Sequence, residues 1–172
     1  FNVKKILYSS SCACYGNNQN SKEWDELKPE SIYGLSKLGS EEFIKFYGRN
    51  HNIMFNIFRV FNTIGRSVDS EFNNRRLIPT LLNNIVSGAE INLFVQSNKK
   101  DACVRDYIHL GFVCEVFSKF IEKPTNKIIN IGSGKGISGK DMAEKMFKLF
   151  GRNVNIKYSE KRSRELDLDY LK

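Results

Sequence analysis

A tyrosine and a lysine stand four residues apart in the segment YGLSK, at Tyr33 and Lys37. On a helix this spacing places both side chains on one face, one turn apart. An ammonium group beside a phenol stabilises the phenolate, so the pair could act as a general base that takes a proton from an alcohol. The pair is also compatible with an ordinary helix, in which the tyrosine packs and the lysine extends into solvent.

A row of hydroxyl groups precedes this pair in the segment SSSCACYG, residues 9–16, directly after the apolar stretch KILY, residues 5–8. An apolar run of this length is typical of a strand, and Ser11 would then lie at the end of that strand. Its hydroxyl could contact the same alcohol that Tyr33 deprotonates. The serine row therefore favours a catalytic interpretation of the tyrosine and the lysine.

Strands and helices alternate along the rest of the chain. Strand-length apolar runs lie at residues 5–8, 53–58, 91–95, 128–131 and 154–158, and helical periodicity fills residues 33–50, 76–87, 112–121 and 142–150. Strands that alternate with helices predict a parallel sheet with helices packed against it. The predicted fold class is therefore α/β.

The composition excludes several function classes. The chain has 172 residues, 41% of them hydrophobic and 27% charged, and no apolar run approaches the length of a membrane span. The formal charge of +8 is compatible with a nucleic acid, with a phosphorylated small molecule, or with the absence of an acidic remainder of a longer chain. Because the basic residues are spread along the chain and no nucleic-acid-binding motif is present, we expect no nucleic-acid partner and no membrane association.

The four cysteines, Cys12, Cys14, Cys103 and Cys114, have neither disulfide nor zinc-site spacing. We interpret them as reduced thiols of a cytoplasmic protein and predict no metal site. The chain starts at Phe1, without a start methionine or the apolar stretch of a signal peptide. We therefore expect the natural amino terminus to lie upstream.

The segment GSGKGISGKD, residues 132–141, contains the dinucleotide fingerprint G-x-G-x-x-G directly after a predicted strand, with an acidic residue about 20 positions further on. Its glycines are Gly134, Gly136 and Gly139. Alternatively, Ser138 and Asp141 form a capping box that opens the next helix, and the glycines only make the turn before it. We favour the capping box, because the fingerprint is weak without its context.

Seven ordered segments resemble the extended short-chain dehydrogenase/reductase family, and within it the NAD-dependent nucleotide-sugar 4-epimerases of the UDP-glucose/UDP-galactose type. The segments span nearly the whole chain and are ILYSSSCACYGN, SIYGLSKLGSEEF, FRVFNTIG, LIPTLL, VRDYIHL, INIGSGKGIS and KRSRELD. In that family the cofactor fingerprint lies on the first strand, whereas NIGSGKG lies near the substrate-binding part. The resemblance therefore supports the capping-box interpretation and implies that the cofactor fingerprint is missing from this chain.

The resemblance implies the second half of a Rossmann-like doubly wound parallel sheet plus a smaller interleaved α/β substrate-binding domain. Residues 1–66 would form the carboxyl-terminal half of the NAD-binding domain. Residues 67–172 would mainly form the nucleotide-sugar-binding domain, with about residues 107–131 returning to the Rossmann sheet. The implied cofactor is NAD, the implied substrate is a UDP-sugar, and the intact protein is expected to be a homodimer.

The resemblance also implies roles for individual residues. Tyr33 corresponds to the catalytic base, Lys37 to the residue that binds the nicotinamide ribose, and Ser11 to a hydroxyl that helps to move the proton. Phe61 corresponds to a nicotinamide contact. The implied nucleotide and diphosphate contacts are Asn62, Asn92, Leu93, Phe94, Arg105 and Arg164.

For three of these contacts a plainer alternative stays open: a turn at Asn62, a surface ion pair between Arg105 and Asp106, and a solvated charged face around Arg164. Another departure from the family is the pair Arg75 and Arg76, which precedes the LIPTLL segment where the family often has an asparagine shortly before it. The phosphate contacts are therefore expected to differ from the family's usual set.

The implied reaction oxidises the sugar transiently at C4. Tyr33 takes the hydroxyl proton and NAD takes the hydride, and the 4-keto sugar turns over and receives the hydride on its other face. Related 4,6-dehydratases carry carboxylates where this chain has Cys12, Ala13 and Cys14, so a simple 4-epimerase is favoured over a dehydratase or reductase. The alternative from another class is an incomplete, non-catalytic remnant that binds only a sugar nucleotide.

Overall fold

The serine row ends the first strand of a three-stranded parallel sheet in a computed structural model of the chain. The structure describes residues 3–18, 21–65, 76–95, 104–153, 155–160 and 168–169. The strands are β1 (Lys5–Ser11), β2 (Met54–Val60) and β6 (Lys127–Ile131), in the order β1-β2-β6. Ser11 lies opposite Val60, and Val60 lies opposite Ile131, so the carboxyl ends of all three strands meet at one edge.

A long helix, α1 (Ile32–His51), connects β1 to β2. A 3-10 turn, Cys12–Tyr15, follows β1 directly and leads into the loop before this helix. Ser31 caps α1, because its hydroxyl accepts a hydrogen bond from the Gly34 amide at 3.0 Å. Asn52, in the left-handed conformation, ends the helix. The cap places Tyr33 in the first turn of α1, close to the strand edge that carries Ser11.

Three further helices complete the described structure: α2 (Leu77–Ser87), α3 (Leu110–Glu122) and α4 (Gly139–Leu149). Helix α3 covers the three-stranded sheet, and the core there consists of Phe58, Val60, Val113 and Ile131 with Phe117 and Phe120 against them. The aromatic rings of Phe58 and Phe117 lie 4.3 Å apart between their centroids. Burial of these side chains is the main force that holds α3 against the sheet.

Two smaller sheets lie beyond this core. In the first, β3 (Asn62–Ile64) pairs in parallel with β5 (Val104–His109), which also pairs with β7 (Gly136–Ser138) and β9 (Leu168–Asp169). In the second, β4 (Ile91–Val95) pairs in parallel with β8 (Ile156–Glu160). The residues Leu81, Ile85, Ile91, Leu93, Ala143 and Phe147 form a second core, between α2, α4 and β4.

The predicted α/β class with parallel strands is confirmed, and every predicted strand and helix is present with its ends moved by a few residues. The short strands β3, β5, β7 and β9 were not predicted from the sequence. These are two to six residues long, and β5 carries charged residues within VRDYIH, so an apolar run does not mark it. The division into domains at residues 66 and 67 stays a prediction, although β6 does pair with β2 in the first sheet.

Among the helices that the structure describes, none combines the length and the apolar character needed to cross a membrane.

Candidate active site

A cleft of about 940 Å³ opens where the carboxyl ends of β1 and β2 meet β3, β5, α2 and α3. Five of the ten site residues predicted from the sequence line this cleft: Ser11, Tyr33, Phe61, Asn62 and Arg105. They come from distant parts of the chain: Ser11 and Arg105 are 94 residues apart in the sequence. A cleft at the carboxyl ends of parallel strands is where α/β proteins usually bind ligands.

Ser11 ends β1 and starts the 3-10 turn. Its Oγ accepts a hydrogen bond from the Ala13 amide at 3.2 Å, and the side chain is 8% exposed at the wall of the cleft. A hydroxyl has one donor and two acceptor positions, so this bond leaves the Ser11 proton for another partner. The hydroxyl can therefore donate to a group bound in the cleft.

Tyr33 projects from the first turn of α1 and is 56% exposed. Its neighbour Gly34 makes a close approach to the 3-10 turn: a Cβ on Gly34 would lie 2.4 Å from the Ala13 carbonyl oxygen. Only glycine allows the helix to pack at this distance. Ala13 and Tyr33 both line the cleft, so the close packing at Gly34 brings the first turn of α1 against the cleft wall.

Lys37 lies one turn further along the same face of α1. Its ammonium group donates a hydrogen bond to the Ser9 carbonyl oxygen at 2.8 Å and lies 5.7 Å from the centroid of the Tyr33 ring. The same nitrogen lies 5.1 Å from the ring of Tyr8. The lysine thus places a positive charge beside the phenol and also ties α1 to β1, a second contact that the sequence did not suggest.

Two arginines lie in the part of the cleft formed by β5 and α2. Arg105 is half-buried on β5, and Arg76 is exposed at the amino-terminal end of α2. Guanidinium groups bind phosphate oxygens in a bidentate manner, so this end of the cleft suits a diphosphate. From the sequence, Arg76 was only a departure from the family's pattern and was not among the predicted site residues.

Asp106 does not act as the surface partner of Arg105. Its side chain is fully buried on the other side of β5 and accepts hydrogen bonds from the Ser133 amide at 2.8 Å, the Ser133 hydroxyl at 2.6 Å and the Gly134 amide at 2.9 Å. Alternation along the strand turns neighbouring side chains to opposite faces. A surface ion pair between these two neighbours is therefore not supported.

The same contacts explain the glycine-rich loop. Two of its amides, those of Ser133 and Gly134, already bind the Asp106 carboxylate, which occupies the place an anionic ligand would need. Beyond the loop, Ser138 caps α4, since its hydroxyl accepts from the Asp141 amide at 3.0 Å and lies 2.7 Å from the Asp141 carboxylate. The predicted amino-terminal cap of this helix by Ser138 is confirmed.

The other predicted contacts are less direct. Asn92 and Leu93 lie on β4, and neither belongs to the lining of the cleft. Leu93 is buried in the second core at 3% exposure, so only its backbone could contact a ligand. Phe94 follows on the same strand, and Arg164 lies outside the described residues. These four assignments stay predictions.

Phe61 follows β2 and is 5% exposed. Its ring packs against Cys12 and Tyr15 in a small cluster that also contains Leu27. One part of Phe61 thus supports the 3-10 turn while another part reaches the cleft wall.

Cys12, Cys14 and Cys114 are free thiols, and burial raises the pKa of the Cys14 thiol, so it stays protonated and unreactive.

The pattern of the family described as "NAD dependent epimerase/dehydratase family" matches residues 1–132 of this chain. The chain belongs to the NAD-dependent epimerase/dehydratase family. Among curated relatives, UDP-arabinose 4-epimerase 1 of Arabidopsis thaliana is 28% identical over 178 residues, which are 94% of this chain and 42% of the relative. The predicted recognition and the predicted cofactor, NAD, are confirmed at the level of the family.

Solved structures show the same fold. The UDP-glucose 4-epimerase of Thermotoga maritima, solved with UDP-glucose, is 23% identical with a TM-score of 0.88 and covers 99% of this chain and 55% of its own. The dTDP-glucose 4,6-dehydratase of Bacillus anthracis, solved with NAD, is 20% identical with a TM-score of 0.83, covering 98% and 52%. The chain therefore spans about half the length of the epimerase/dehydratase relatives it matches.

The described residues fit one end of the family's cofactor. Tyr33, Lys37, Ser11 and Phe61 gather hydroxyl, ammonium and aromatic groups, which suit a ribose and a nicotinamide ring. A pyrophosphate needs unoccupied backbone amides, and the glycine-rich loop of this chain directs two of its own to Asp106. The described residues therefore have the chemistry that suits the reactive end of NAD, and none of them is assigned to its pyrophosphate.

Proposed function

We propose that this chain carries the catalytic residues of an NAD-dependent nucleotide-sugar 4-epimerase of the UDP-glucose/UDP-galactose type. The observation that carries the proposal is that Ser11 and Tyr33 line the same cleft as Arg105. A hydroxyl, a phenol with a neighbouring ammonium group, and a guanidinium group at a distance suit an alcohol attached to a diphosphate. The activity of the complete protein is part of the proposal, because the chain spans about half of its relatives.

Tyr33 takes the proton from the C4 hydroxyl and later returns it. Lys37 stabilises the phenolate form of Tyr33 that accepts this proton, and its bond to the Ser9 carbonyl keeps the ammonium group in place. Ser11, held by the Ala13 amide, donates to the same sugar oxygen and orients it towards Tyr33. Bound NAD would supply reversible hydride acceptance at C4, which gives a 4-keto sugar that can be reduced from either face.

Arg105 and Arg76 hold the diphosphate while the 4-keto sugar rotates in the cleft. The diphosphate is the fixed point of the substrate, so the sugar can present its other face without leaving the cleft. Asn62, half-buried at the start of β3, lines the same cleft and is suited to contact the sugar or the nucleotide. The nucleotide and the sugar are taken from the resemblance and stay proposals.

An epimerase is favoured over a 4,6-dehydratase by the 3-10 turn. Elimination of water requires an additional acid and base near the sugar. The cleft-lining residues of this turn are Cys12 and Ala13, and neither carries a carboxylate. No acidic side chain is among the residues that line the described cleft.

The chain presents β1 at the edge of its first sheet, since among the described residues it pairs only with β2. Parallel edges are normally covered, and apolar residues such as Ile6 and Leu7 are only half-buried there. We infer that an upstream Rossmann half pairs with β1 in the complete protein and supplies the pyrophosphate site. Homodimerisation and a cytoplasmic location stay predictions.

The experiment is a product assay with the full-length product of the gene that encodes this chain. The enzyme is incubated with NAD and, in separate reactions, with UDP-galactose, UDP-arabinose and dTDP-glucose. We expect interconversion of UDP-galactose and UDP-glucose without a 4-keto-6-deoxy product. A 4-keto-6-deoxy product from dTDP-glucose would replace the epimerase with a dehydratase, and UDP-arabinose turnover alone would replace the sugar. Binding of UDP without any turnover would favour a non-catalytic remnant.

A further inference from the structure

A buried ion pair joins the helix that carries Tyr33 to the central strand of the first sheet. Glu41, on α1, is 0% exposed, and Arg59, on β2, is 1% exposed. The guanidinium group holds both carboxylate oxygens, with Nε 3.0 Å from Oε1 and Nη2 2.8 Å from Oε2. Neither residue lines the cleft. Since buried ion pairs are often no more stabilising than apolar residues of similar size, stability alone does not account for this one.

The Glu41 carboxylate also binds the start of the catalytic region. Ser10 Oγ donates to Glu41 Oε1, and the Cys14 thiol donates to the same oxygen at 3.7 Å. Ser10 is the immediate neighbour of Ser11 on β1. The carboxylate therefore ties α1 to the last residues of β1 and to the 3-10 turn.

Arg59 extends the network across the sheet. Its Nη1 donates to the Tyr15 hydroxyl at 2.8 Å, and Tyr15 in turn donates to Asn130 Oδ1 on β6 at 2.7 Å. The same nitrogen donates to the Glu23 carbonyl oxygen at 3.2 Å. One guanidinium group thus connects helix, turn, loop and two strands.

Arg59 stays charged and Tyr15 stays neutral in this network. Burial disfavours a charged Arg59, but its hydrogen bonds to Glu41 and Tyr15 outweigh this effect and raise the pKa of the guanidinium group. Burial also raises the pKa of the Tyr15 hydroxyl, so it remains a neutral donor. Because Arg59 is charged and Tyr15 is neutral, each hydrogen bond of the network keeps the same donor and the same acceptor.

The place of the network relates it to the chemistry. Glu41 follows Lys37 by four residues and Tyr33 by eight, so the three lie along one side of α1. We propose that Glu41 and Arg59 are positioning residues that set the separation of Ser11 and Tyr33, and thereby the turnover of the proposed reaction. A planar, two-pronged contact fixes the rotation and the sliding of a helix, which apolar packing does not. This inference rests on the proposed function.

The test compares single and paired replacements in the full-length enzyme. Glu41→Gln and Arg59→Met each leave one buried partner unmatched, and we expect the melting temperature to fall by roughly 10 °C. The paired variant Glu41→Leu/Arg59→Met removes both charges, so most of that loss should be regained. We expect the paired variant to show a kcat lower by roughly 100-fold with KM within about twofold of the parent.

A matched control lies at the next residue. Glu42 forms an exposed ion pair with Lys45 on the same helix, so Glu42→Gln changes one carboxylate of α1 without touching the network. Its kcat and melting temperature should equal those of the parent. A paired variant that retains the parental kcat would overturn the positioning role and leave the ion pair as a structural feature.

A milder variant decides the matter if the paired variant does not fold. Tyr15→Phe removes only the hydroxyl that links Arg59 to Asn130. A positioning role predicts a kcat lower by roughly 10-fold at unchanged KM and a melting temperature within about 3 °C of the parent. An unchanged kcat in Tyr15→Phe would contradict the inference.

A structural readout separates this inference from the proposed function. If the parent converts none of the nucleotide sugars, the proposed function is wrong, whereas the positioning is judged on crystal structures. There the Cα separation of Ser11 and Tyr33 in the variant that folds should differ from the parent by about 1 Å, a shift large enough to slow catalysis. An identical separation would overturn the inference by itself.

Discussion

The ammonium group of Lys37 donates a hydrogen bond to the carbonyl oxygen of Ser9, 2.8 Å away. This bond joins the helix of the proposed base to the strand of the serine row, two residues before Ser11. The lysine therefore has two effects in the candidate site: it places a charge near Tyr33, and it holds α1 against β1.

Replacement of Lys37 by methionine tests both effects. The methionine keeps the apolar stem but removes the charge and the bond to Ser9. In the full-length enzyme we expect kcat to fall at least about 10-fold and NAD to bind more weakly, because positioned proton transfer and the ribose contact both depend on the ammonium group. Steady-state kinetics and calorimetric titration with NAD measure the two. An unchanged kcat together with an unchanged NAD affinity would leave the lysine with a structural role only.

Replacement of Tyr33 by phenylalanine removes the proposed base and little else. The side chain is more than half exposed, so the fold should be unaffected. We expect kcat for UDP-galactose to fall by roughly 100-fold or more while NAD remains bound, since proton transfer contributes about 10²–10⁴. Tyr47→Phe, an exposed tyrosine on the same helix, is the control and should turn over like the parent. Parental turnover by Tyr33→Phe would rule out the mechanism.

Arg105→Ala should chiefly weaken binding of the nucleotide. Loss of a charge-assisted phosphate contact removes about 1.5–3 kcal/mol, which corresponds to roughly 10- to 100-fold in Kd. Calorimetry compares UDP with uridine, which lacks the phosphates and should bind equally to the parent and the variant. Arg49→Ala, at the exposed carboxyl-terminal turn of α1, is the control. Equal UDP affinity in Arg105→Ala would remove Arg105 from the site.

Alanine substitutions at two glycines of α1 are expected to change the stability of the chain in opposite directions, one through helix propensity and the other through close packing. Gly39 has open space around its Cα, so Gly39→Ala should stabilise the chain by about 0.5–1 kcal/mol. Gly34→Ala meets the Ala13 carbonyl at 2.4 Å and should instead destabilise the chain by about 1–3 kcal/mol and displace Tyr33. Urea unfolding measures both changes. A Gly34→Ala variant as stable as Gly39→Ala would show that the helix can shift without cost.

The sequence predicted the regular elements because their patterns are local. The apolar run of β1 and the spacing of Leu38, Glu42 and Phe43 on α1 depend on neighbouring residues, and a helix or strand follows from them. The strand β5 was missed because Arg105 and Asp106 interrupt any apolar alternation, and its partners come from distant segments. Pairing between distant segments leaves no local signal in the chain.

The reactive residues of the candidate site were predictable from the sequence, but the contacts that hold them in place were not. Tyr33, Lys37 and Ser11 have distinctive residue types at distinctive spacing, whereas the bond from Lys37 to Ser9 and the pair of Arg59 with Glu41 exist only after folding. One signal was present: Glu41 continues the four-residue spacing of Tyr33 and Lys37. From the sequence alone a carboxylate at that position is expected to be solvent-exposed, because its buried partner, the arginine on β2, is distant in the chain.

The cofactor requirement can be tested on the 172-residue chain by itself. A dinucleotide needs a cradle of backbone amides for its pyrophosphate, usually at the first turn between a strand and a helix. In the described part of this chain, the amides of Ser133 and Gly134 in the glycine-rich loop donate hydrogen bonds to the Asp106 carboxylate. We therefore expect the isolated chain to bind no NAD at micromolar concentration, although it holds Ser11, Tyr33 and Lys37.

The measurement follows NAD binding by calorimetry and UDP-galactose conversion by product analysis, first with the isolated chain and then with the full-length gene product. We expect neither signal from the chain and both from the longer protein, because β1 then gains a neighbouring strand and the cofactor gains its pyrophosphate site. Asp106→Asn in the isolated chain is the control for the loop, since it weakens the hold on the two amides. Micromolar NAD binding by the unaltered chain would return the cofactor to the loop that contains Gly134 and Gly136.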